Sequence, residues 1–322
     1  MIKKCLYLLS ITTILVFSKC SPEASEKYKS YERNPEYMED LTSAEKDYYN
    51  AYNQVMALWN VSYDDLYIPT TFGTAHVIVS GASKNPPLVL LHGMNASSAM
   101  WYPNIETLSE SFQVFAIDLI TEPGKSNASQ EIEDTETIIK WYDEVFERLQ
   151  LRHFQIVGAS RGGWLAMKLA LAYPEKIKSM VLLSPAQTFV WIQPGTAMFS
   201  NIIFEIAPTE KRLAKVLDKM SARVDKISPA FKDLFYQATK RSSLDDILLE
   251  MQPFPGDTLQ SINMPVMLLI GDKDIINDER SIEIARENIT NLEARIISDA
   301  GHFLTFDQAA TVNELMVSFL QE

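Results

Sequence analysis

From residue 66 onward the chain alternates short apolar runs with longer stretches in which apolar residues recur every three or four positions. The runs are Ala75–Val79, Leu88–Leu91, Val114–Ile117, Phe154–Val157, Met180–Leu183, Val266–Ile270 and Ala294–Ile297. Several are continuously apolar, the pattern of strands buried on both faces and hence of a mostly parallel sheet. Between them, residues 97–110, 134–150, 162–173 and 278–289 carry helical spacing. This alternation predicts a doubly wound α/β domain. Upstream, Tyr48, Tyr52, Val55, Met56 and Trp59 predict a helix over 43–60 that packs on the domain.

One interval breaks the rhythm. Between Leu183 and Val266 lie about eighty residues without a convincing strand. Stretches 196–206, 209–224, 228–241 and 243–250 read as helices, punctuated by Pro194, Pro208, Pro229, Pro253 and Pro255. A helical insertion of this kind, over about 187–258, predicts a cap above the strand ends, where open α/β sheets bind ligands.

The N-terminus has a different texture. Lys3 and Lys4 precede a 12-residue apolar stretch from Leu6 to Phe17, too short to span a bilayer comfortably and suited to an export signal. Leu15-Val16-Phe17-Ser18-Lys19-Cys20 then resembles a bacterial lipobox, which implies a signal peptide over 1–19 and a lipid on Cys20, although Lys19 stands where that pattern carries a small residue. Residues 20–42 read as a polar tether and 43–322 as the folded domain. The expected location is therefore exported and lipid-anchored at a bacterial membrane, on the periplasmic or cell-surface side. Cleavage removes Lys3, Lys4 and Lys19 and no acid, which takes the net charge from −13 to −16.

That acidity, without a Lys/Arg stripe, argues against nucleic acid as a partner. The chain's 322 residues suit one large α/β domain or two small ones, and 47% hydrophobic against 22% charged residues places it among ordinary globular proteins rather than disordered ones.

The strongest chemical signal is Gly158-Ala159-Ser160-Arg161-Gly162, followed by Gly163. It fits G-x-S-x-G, and it sits between the run Phe154–Val157 and the helical stretch from Trp164. A nucleophilic serine on a tight strand-to-helix turn needs small residues two before and two after it, because strand and helix otherwise collide. Ser160 is thus the candidate nucleophile. Gly124-Lys125-Ser126 is no phosphate loop, since the spacing is wrong, and no cluster of His, Cys and carboxylates has metal-ligand spacing. Neither a cofactor nor a metal is expected. Trp101, Tyr102, Phe189 and Trp191 are candidates either for an acyl pocket or for core packing.

With Leu91-His92-Gly93-Met94 closing the run Leu88–Leu91, residues 66–320 resemble the α/β-hydrolase superfamily. The resemblance implies that fold, with an oxyanion hole made by the backbone N–H groups of Met94 and Arg161. His92 is implied to orient its loop rather than act as base. In the family order of serine, acid and histidine, the base follows the nucleophile. Of the four histidines (His76, His92, His153 and His302), His302 alone does so, in Asp299-Ala300-Gly301-His302-Phe303 after the run Ala294–Ile297. Asp272, Asp274 and Asp278 compete for the acid, and the family pattern of glycine, two residues, aspartate selects Asp274. Asp118 resembles a loop brace. The Arg161 side chain has two open readings, an attractor of acidic substrates or a solvent-facing group.

The stretch from Ser98 to Ile105 resembles bacterial carboxylesterases, which implies hydrolysis of small-molecule carboxylic esters through an acyl-enzyme. Rival chemistries on the same fold are C–C hydrolase, thioesterase, lipase and cofactor-free haloperoxidase. A non-catalytic binding lipoprotein is the rival of another kind. Oligomeric state is not legible.

Overall fold

A computed structural model describes residues 26–193, 195–242 and 246–322. The expected signal segment 1–19 and the lipid site Cys20 lie outside the described residues.

The strands are β1 (Tyr63–Thr70), β2 (Gly73–Ser80), β3 (Pro87–Leu91), β4 (Gln113–Ile117), β5 (Asn127–Ala128), β6 (Phe154–Ala159), β7 (Ile177–Leu183), β8 (Val266–Gly271) and β9 (Leu292–Ile297). They form one sheet in the order β1-β2-β4-β3-β6-β7-β8-β9, with β5 paired to β2. The β1/β2 and β2/β4 pairs are antiparallel, and every pair from β4 through β9 is parallel. The helices are α1 (Ser43–Met56), α2 (Ile105–Ser111), α3 (Thr135–Leu149), α4 (Arg161–Ala172), α5 (Thr196–Ile206), α6 (Glu210–Met220), α7 (Pro229–Arg241), α8 (Gly256–Gln260), α9 (Glu279–Asn288), α10 (Leu304–Asp307) and α11 (Ala309–Leu320).

The continuous apolar runs are explained by two cores, one on each face. Val89, Leu91, Phe115, Ile117 and Ile156 point toward the layer of α3, α4 and α9. Their neighbours Leu88, Leu90, Val114, Ala116 and Val157 point toward α1, α2, α11 and the helices between β7 and β8. Alternate side chains of a strand face opposite ways, so a strand covered on both faces must be apolar throughout.

Several local expectations change. The helix expected over 97–110 is a 3-10 turn, Ser98–Trp101, followed by α2. Pro103 lies at the break, where its missing N–H and the constraint on the residue before it interrupt a helix. The helix expected over 209–224 ends at Met220. Residues 246–250 form a 3-10 turn, while 243–245 lie outside the described residues. Strand β1 went unread because it carries Asp64, Asp65 and Pro69. It lies at the sheet edge and pairs with β2 alone, where such residues are tolerated.

The stretch expected as a tether is seated on the body from residue 26 onward. Residues Glu26–Tyr31 form a 3-10 turn, and Tyr28 is buried edge-on against Phe115 while donating its hydroxyl to Leu149 O at 3.0 Å. Tyr37 donates to Lys125 O at 2.8 Å. Thr42 and Glu45 form a capping box that starts α1. Burying aromatic rings of this size outweighs the freedom a polar spacer would keep. Among the described residues no helix is long and apolar enough to cross a membrane.

The site is placed by topology. The chain leaves β3 toward β4 on one side, then returns to β6 on the other, so the β3 and β6 ends flank a crevice that no crossover fills. The loop after β3 carries His92-Gly93-Met94, and Ser160 directly follows the last residue of β6.

Candidate active site

Ser160 occupies a left-handed conformation (φ 53°, ψ −117°) between β6 and α4. A non-glycine residue in this region is strained and persists only where its surroundings hold it. Here its N–H bonds Leu183 O at 3.0 Å and its carbonyl accepts from Gly163 N and Ala186 N. A Cβ on Gly158 would stand 2.2 Å from Gly162 O, and one on Gly162 would stand 2.3 Å from Leu91 O. Both glycines are therefore forced by close approach, which is the physical content of the motif.

His302 follows β9, with its ring 142 residues from Ser160 in sequence but its Nε2 2.9 Å from Ser160 Oγ. Its Nδ1 lies 3.0 Å from Asp274 Oδ1. Asp274 Oδ1 also accepts from Ile276 N at 2.9 Å, and Asp274 Oδ2 accepts from Asn277 Nδ2 at 3.1 Å. Burial alone would raise the Asp274 carboxyl, but the His302 ring and these donors hold it below the ordinary carboxylate range. It therefore stays ionised and can orient the Nδ1–H tautomer, leaving Nε2 free to accept the serine proton. Asp272, by contrast, accepts from Ala300 N at 3.1 Å, and Asp278 caps α9.

The His302 loop is tied down by a residue that sequence reasoning missed. Buried Asp307 accepts from Gly301 N at 2.7 Å, Ser221 Oγ at 2.5 Å and Ala222 N at 2.8 Å. It thereby joins the end of α6 to the loop that carries the histidine.

The loop after β3 lies directly against Ser160. A Cβ on Gly93 would stand 3.2 Å from Ser160 Cβ. His92 Nδ1 bonds Gly93 O at 2.8 Å, and Nε2 accepts from Leu119 N at 2.9 Å. Since Leu119 N can only donate, His92 carries its proton on Nδ1 and is consumed in shaping the loop. Met94 and Arg161 both border the cavity at Ser160. The Arg161 N–H is the first of α4, where no intrahelical acceptor exists.

The Arg161 side chain follows neither of its two sequence readings. It is buried and ion-paired with Glu122, whose other oxygen accepts from Asn95 N at 2.9 Å. One carboxylate thus grips both segments that border the serine, Arg161 on one side and Asn95, next to Met94, on the other. Asn95 Nδ2 in turn donates to Glu205 of α5 at 2.7 Å. Glu122 and Glu205 had no sequence signal, because their partners lie 39 and 110 residues away.

Above the serine is a cavity of about 250 Å³. Its roof comes from α5, α6 and α7 through Phe204, Val216, Met220, Phe231 and Phe235. None of the four aromatics singled out in the sequence lines it. Trp101 and Phe189 are core residues, Tyr102 packs between Phe231 and Phe306, and Trp191 is exposed.

The remaining histidines lie elsewhere. His153 is exposed, with Nδ1 3.0 Å from Glu175 O, at the opposite end of β6. His76 is fully buried between Asp118, at 2.8 Å from Nδ1, and Asp65 at Nε2. Asp118 also accepts from Ser98 N, Lys125 N and Tyr52 Oη.

Comparison with known proteins agrees with this geometry. A family model described as the alpha/beta hydrolase fold matches residues 86–309. An uncharacterized carboxylesterase of Bacillus subtilis (strain 168), nap, is 33% identical over 275 residues, covering 84% of this chain and 91% of its own. Carboxylesterase YbfK of the same organism is 30% identical over 275 residues, covering 85% and 93%. The crystal structure of naproxen esterase (carboxylesterase NP) from Bacillus subtilis superposes with a TM-score of 0.82 at 31% identity, covering 87% of this chain and 99% of that one. On the matched length, the sheet and these relatives, the chain belongs to the α/β-hydrolase fold family.

Proposed function

We propose that this protein hydrolyses small carboxylic esters through an acyl-enzyme on Ser160, with His302 as base and Asp274 as its orienting acid. The observation that carries the reading is the continuous relay at the cavity floor: Ser160 Oγ to His302 Nε2 at 2.9 Å, and His302 Nδ1 to Asp274 Oδ1 at 3.0 Å. The relatives named as carboxylesterases support the substrate class.

In the first half-reaction His302 Nε2 takes the Ser160 proton as Oγ attacks the ester carbonyl. Negative charge gathers on the former carbonyl oxygen, and the N–H groups of Met94 and Arg161 are its donors. Each such donor typically contributes on the order of 100-fold in rate. His302 then returns the proton to the leaving alcohol. Water enters and attacks the acyl carbonyl as it loses a proton to Nε2, and His302 then passes that proton to Ser160 Oγ as the acyl C–O bond breaks and the carboxylic acid leaves. The apolar roof keeps the cavity poor in competing water, which strengthens every one of these polar contacts.

The membrane belongs to the same proposal. Residues 1–19 act as an export signal, and Cys20 carries a lipid that holds the protein to a bacterial membrane. The reading is supported by Lys3, Lys4, the apolar stretch Leu6–Phe17 and the position of Cys20. Cys20→Ser is expected to abolish incorporation of labelled fatty acid.

The test of the chemistry is labelling of the purified full chain with a fluorophosphonate probe, located by peptide mass spectrometry. Labelling at Ser160 that disappears in Ser160→Ala supports the reading. A folded wild-type protein that takes no label would overturn it.

A further inference from the structure

The cavity above Ser160 is walled largely by hydrocarbon, yet one carboxyl, Glu205, enters it from α5. Among the described residues Glu205 has no cationic partner. Its Oε1 accepts from the neutral Asn95 amide, at 2.7 Å. The cation on this side of the site, Arg161, is already neutralised by Glu122. A carboxyl placed here fits neither core packing nor the acyl-transfer steps.

We propose that Glu205 sets the charge selectivity of the site, excluding esters whose cavity-seated portion carries an anion and admitting neutral ones. This rests on the esterase reading above and adds the substrate class to it. An anion seated in the cavity would face an uncompensated carboxylate with little water between them. At a separation of roughly 5 Å and an effective dielectric of about 20, the repulsion corresponds to a discrimination on the order of 100-fold. A neutral chain meets no such penalty.

The exclusion carries its own pH signature. Burial pushes the Glu205 carboxyl up to about 7, the Asn95 hydrogen bond opposing this and the Glu122 charge adding to it. Around it, the β4–β5 loop brings Glu122 and α4 brings Arg161, paired to each other. Helix α6 brings Lys219, which bonds Ser200 of α5. Helix α7 meets α5 through Phe235 stacked on Phe204, centroids 6.1 Å apart. The floor brings His302, engaged by Asp274.

The experiment compares 4-nitrophenyl butyrate with the mono-4-nitrophenyl ester of succinate, which replaces the terminal methyl by a carboxylate. The readout is the ratio of kcat/KM values for the two esters between pH 6 and 9, in wild type and Glu205→Gln. Any pH effect on the acyl-transfer steps common to both esters cancels in the ratio. The expected wild-type ratio favours butyrate by roughly 50-fold near pH 9, shrinks about fivefold per pH unit as pH falls, and has nearly vanished by pH 7, because the protonated fraction of Glu205 admits the succinate ester. In Glu205→Gln the ratio drops at least tenfold and becomes flat with pH. Should the variant not fold, the wild-type pH dependence alone decides. Good butyrate turnover with a ratio that ignores both pH and the substitution overturns this proposal alone. Failure of wild type to turn over either ester overturns the esterase reading and this inference with it.

Discussion

Two histidines in this chain each bond a buried aspartate through Nδ1, and they lead different lives. His302 has Asp274 at 3.0 Å on Nδ1 and the hydroxyl of Ser160 at 2.9 Å on Nε2. His76 has Asp118 at 2.8 Å on Nδ1 and a second carboxylate, Asp65, on Nε2. A ring between a carboxylate and a hydroxyl can be neutral at rest, take a proton and give it back. A ring between two carboxylates is best satisfied as an imidazolium, with both nitrogens donating. Burial alone would lower the His76 pKa, but Asp118 and Asp65 together raise it. What separates a base from a brace is thus the group on the far nitrogen, together with access: His302 opens on the cavity, while His76 is sealed beneath Tyr52 and Tyr67.

The largest expected effect tests that division directly. His302→Ala and Ser160→Ala should each lower kcat for a short aryl ester by about 10⁵–10⁶-fold. Asp274→Asn should lower it by about 10⁴-fold, because the wrong tautomer is then held. All three should melt within a few degrees of wild type. His76→Ala should do the reverse. Leaving Asp118 buried without its counter-ion should remove about 3 kcal/mol of stability, its remaining hydrogen bonds limiting the loss, with the Asp65 side contributing less because that carboxylate is partly in water. Whatever folds should turn over ester at close to the wild-type kcat. A His76 variant that stays stable but loses catalysis would break the comparison.

The same contrast predicts the pH dependence of folding. Burial would raise the Asp65 and Asp118 carboxyls, but the neighbouring His76 holds Asp65 at about 2 and Asp118 lower still. Carboxylates with depressed folded pKa values contribute stability that is present above the unfolded value of about 3.9 and is lost as pH falls through the folded one. His76 has the opposite sign. Its contribution is full below the unfolded value of about 6.5 and is lost as pH rises through its raised folded value. The brace should therefore stabilise most between about pH 4 and 6.5. Urea midpoints of wild type and His76→Gln, measured from pH 4.5 to 9, should differ most in the acidic half and converge as pH rises. A gap that widens toward pH 9 would show His76 to be neutral in the fold.

The two histidine sites also differ in how far the sequence announced them. Ser160 was legible because its chemistry forces a local pattern, glycines where strand and helix nearly touch, and His302 was legible through the family resemblance, from its place past the last strand and after the nucleophile. Asp118 was legible as a brace, but its partners were not. Asp65 lies on an edge strand whose two acids and proline hide its strand character, so β1 itself went unread. Helix α11 was recoverable from Val312, Met316, Phe319 and Leu320, which share its buried face. Glu122, Glu205 and Asp307 were not recoverable, since each acts through a contact with a distant segment and leaves no periodicity or spacing behind. A doubly wound sheet is written in many small repeated choices, whereas a positioning carboxylate is written in one.

The smallest expected effect concerns the groups that hold each aspartate. Asn277 donates to Asp274 Oδ2 at 3.1 Å, and its own Oδ1 accepts from Ser281 Oγ at 3.3 Å, so its amide is fixed between acid and α9. Tyr52 plays the matching part for Asp118, donating to Oδ2 at 3.2 Å. Removing either donor leaves its carboxylate with other partners: Ile276 N for Asp274, and Ser98 N and Lys125 N for Asp118. Neither loss should be severe, but they should land on different observables. Asn277→Ala loosens an acid whose task is to aim a moving proton, so kcat should fall by about tenfold, as misplacement of a supporting group does, with KM and melting temperature little changed. Tyr52→Phe loosens an acid whose task is to hold two loops, so about 1 kcal/mol of stability should go while kcat stays. If the two substitutions instead produced the same mixture of lost rate and lost stability, the aspartates would be interchangeable supports, and the distinction between the two histidines would rest on access to the cavity alone.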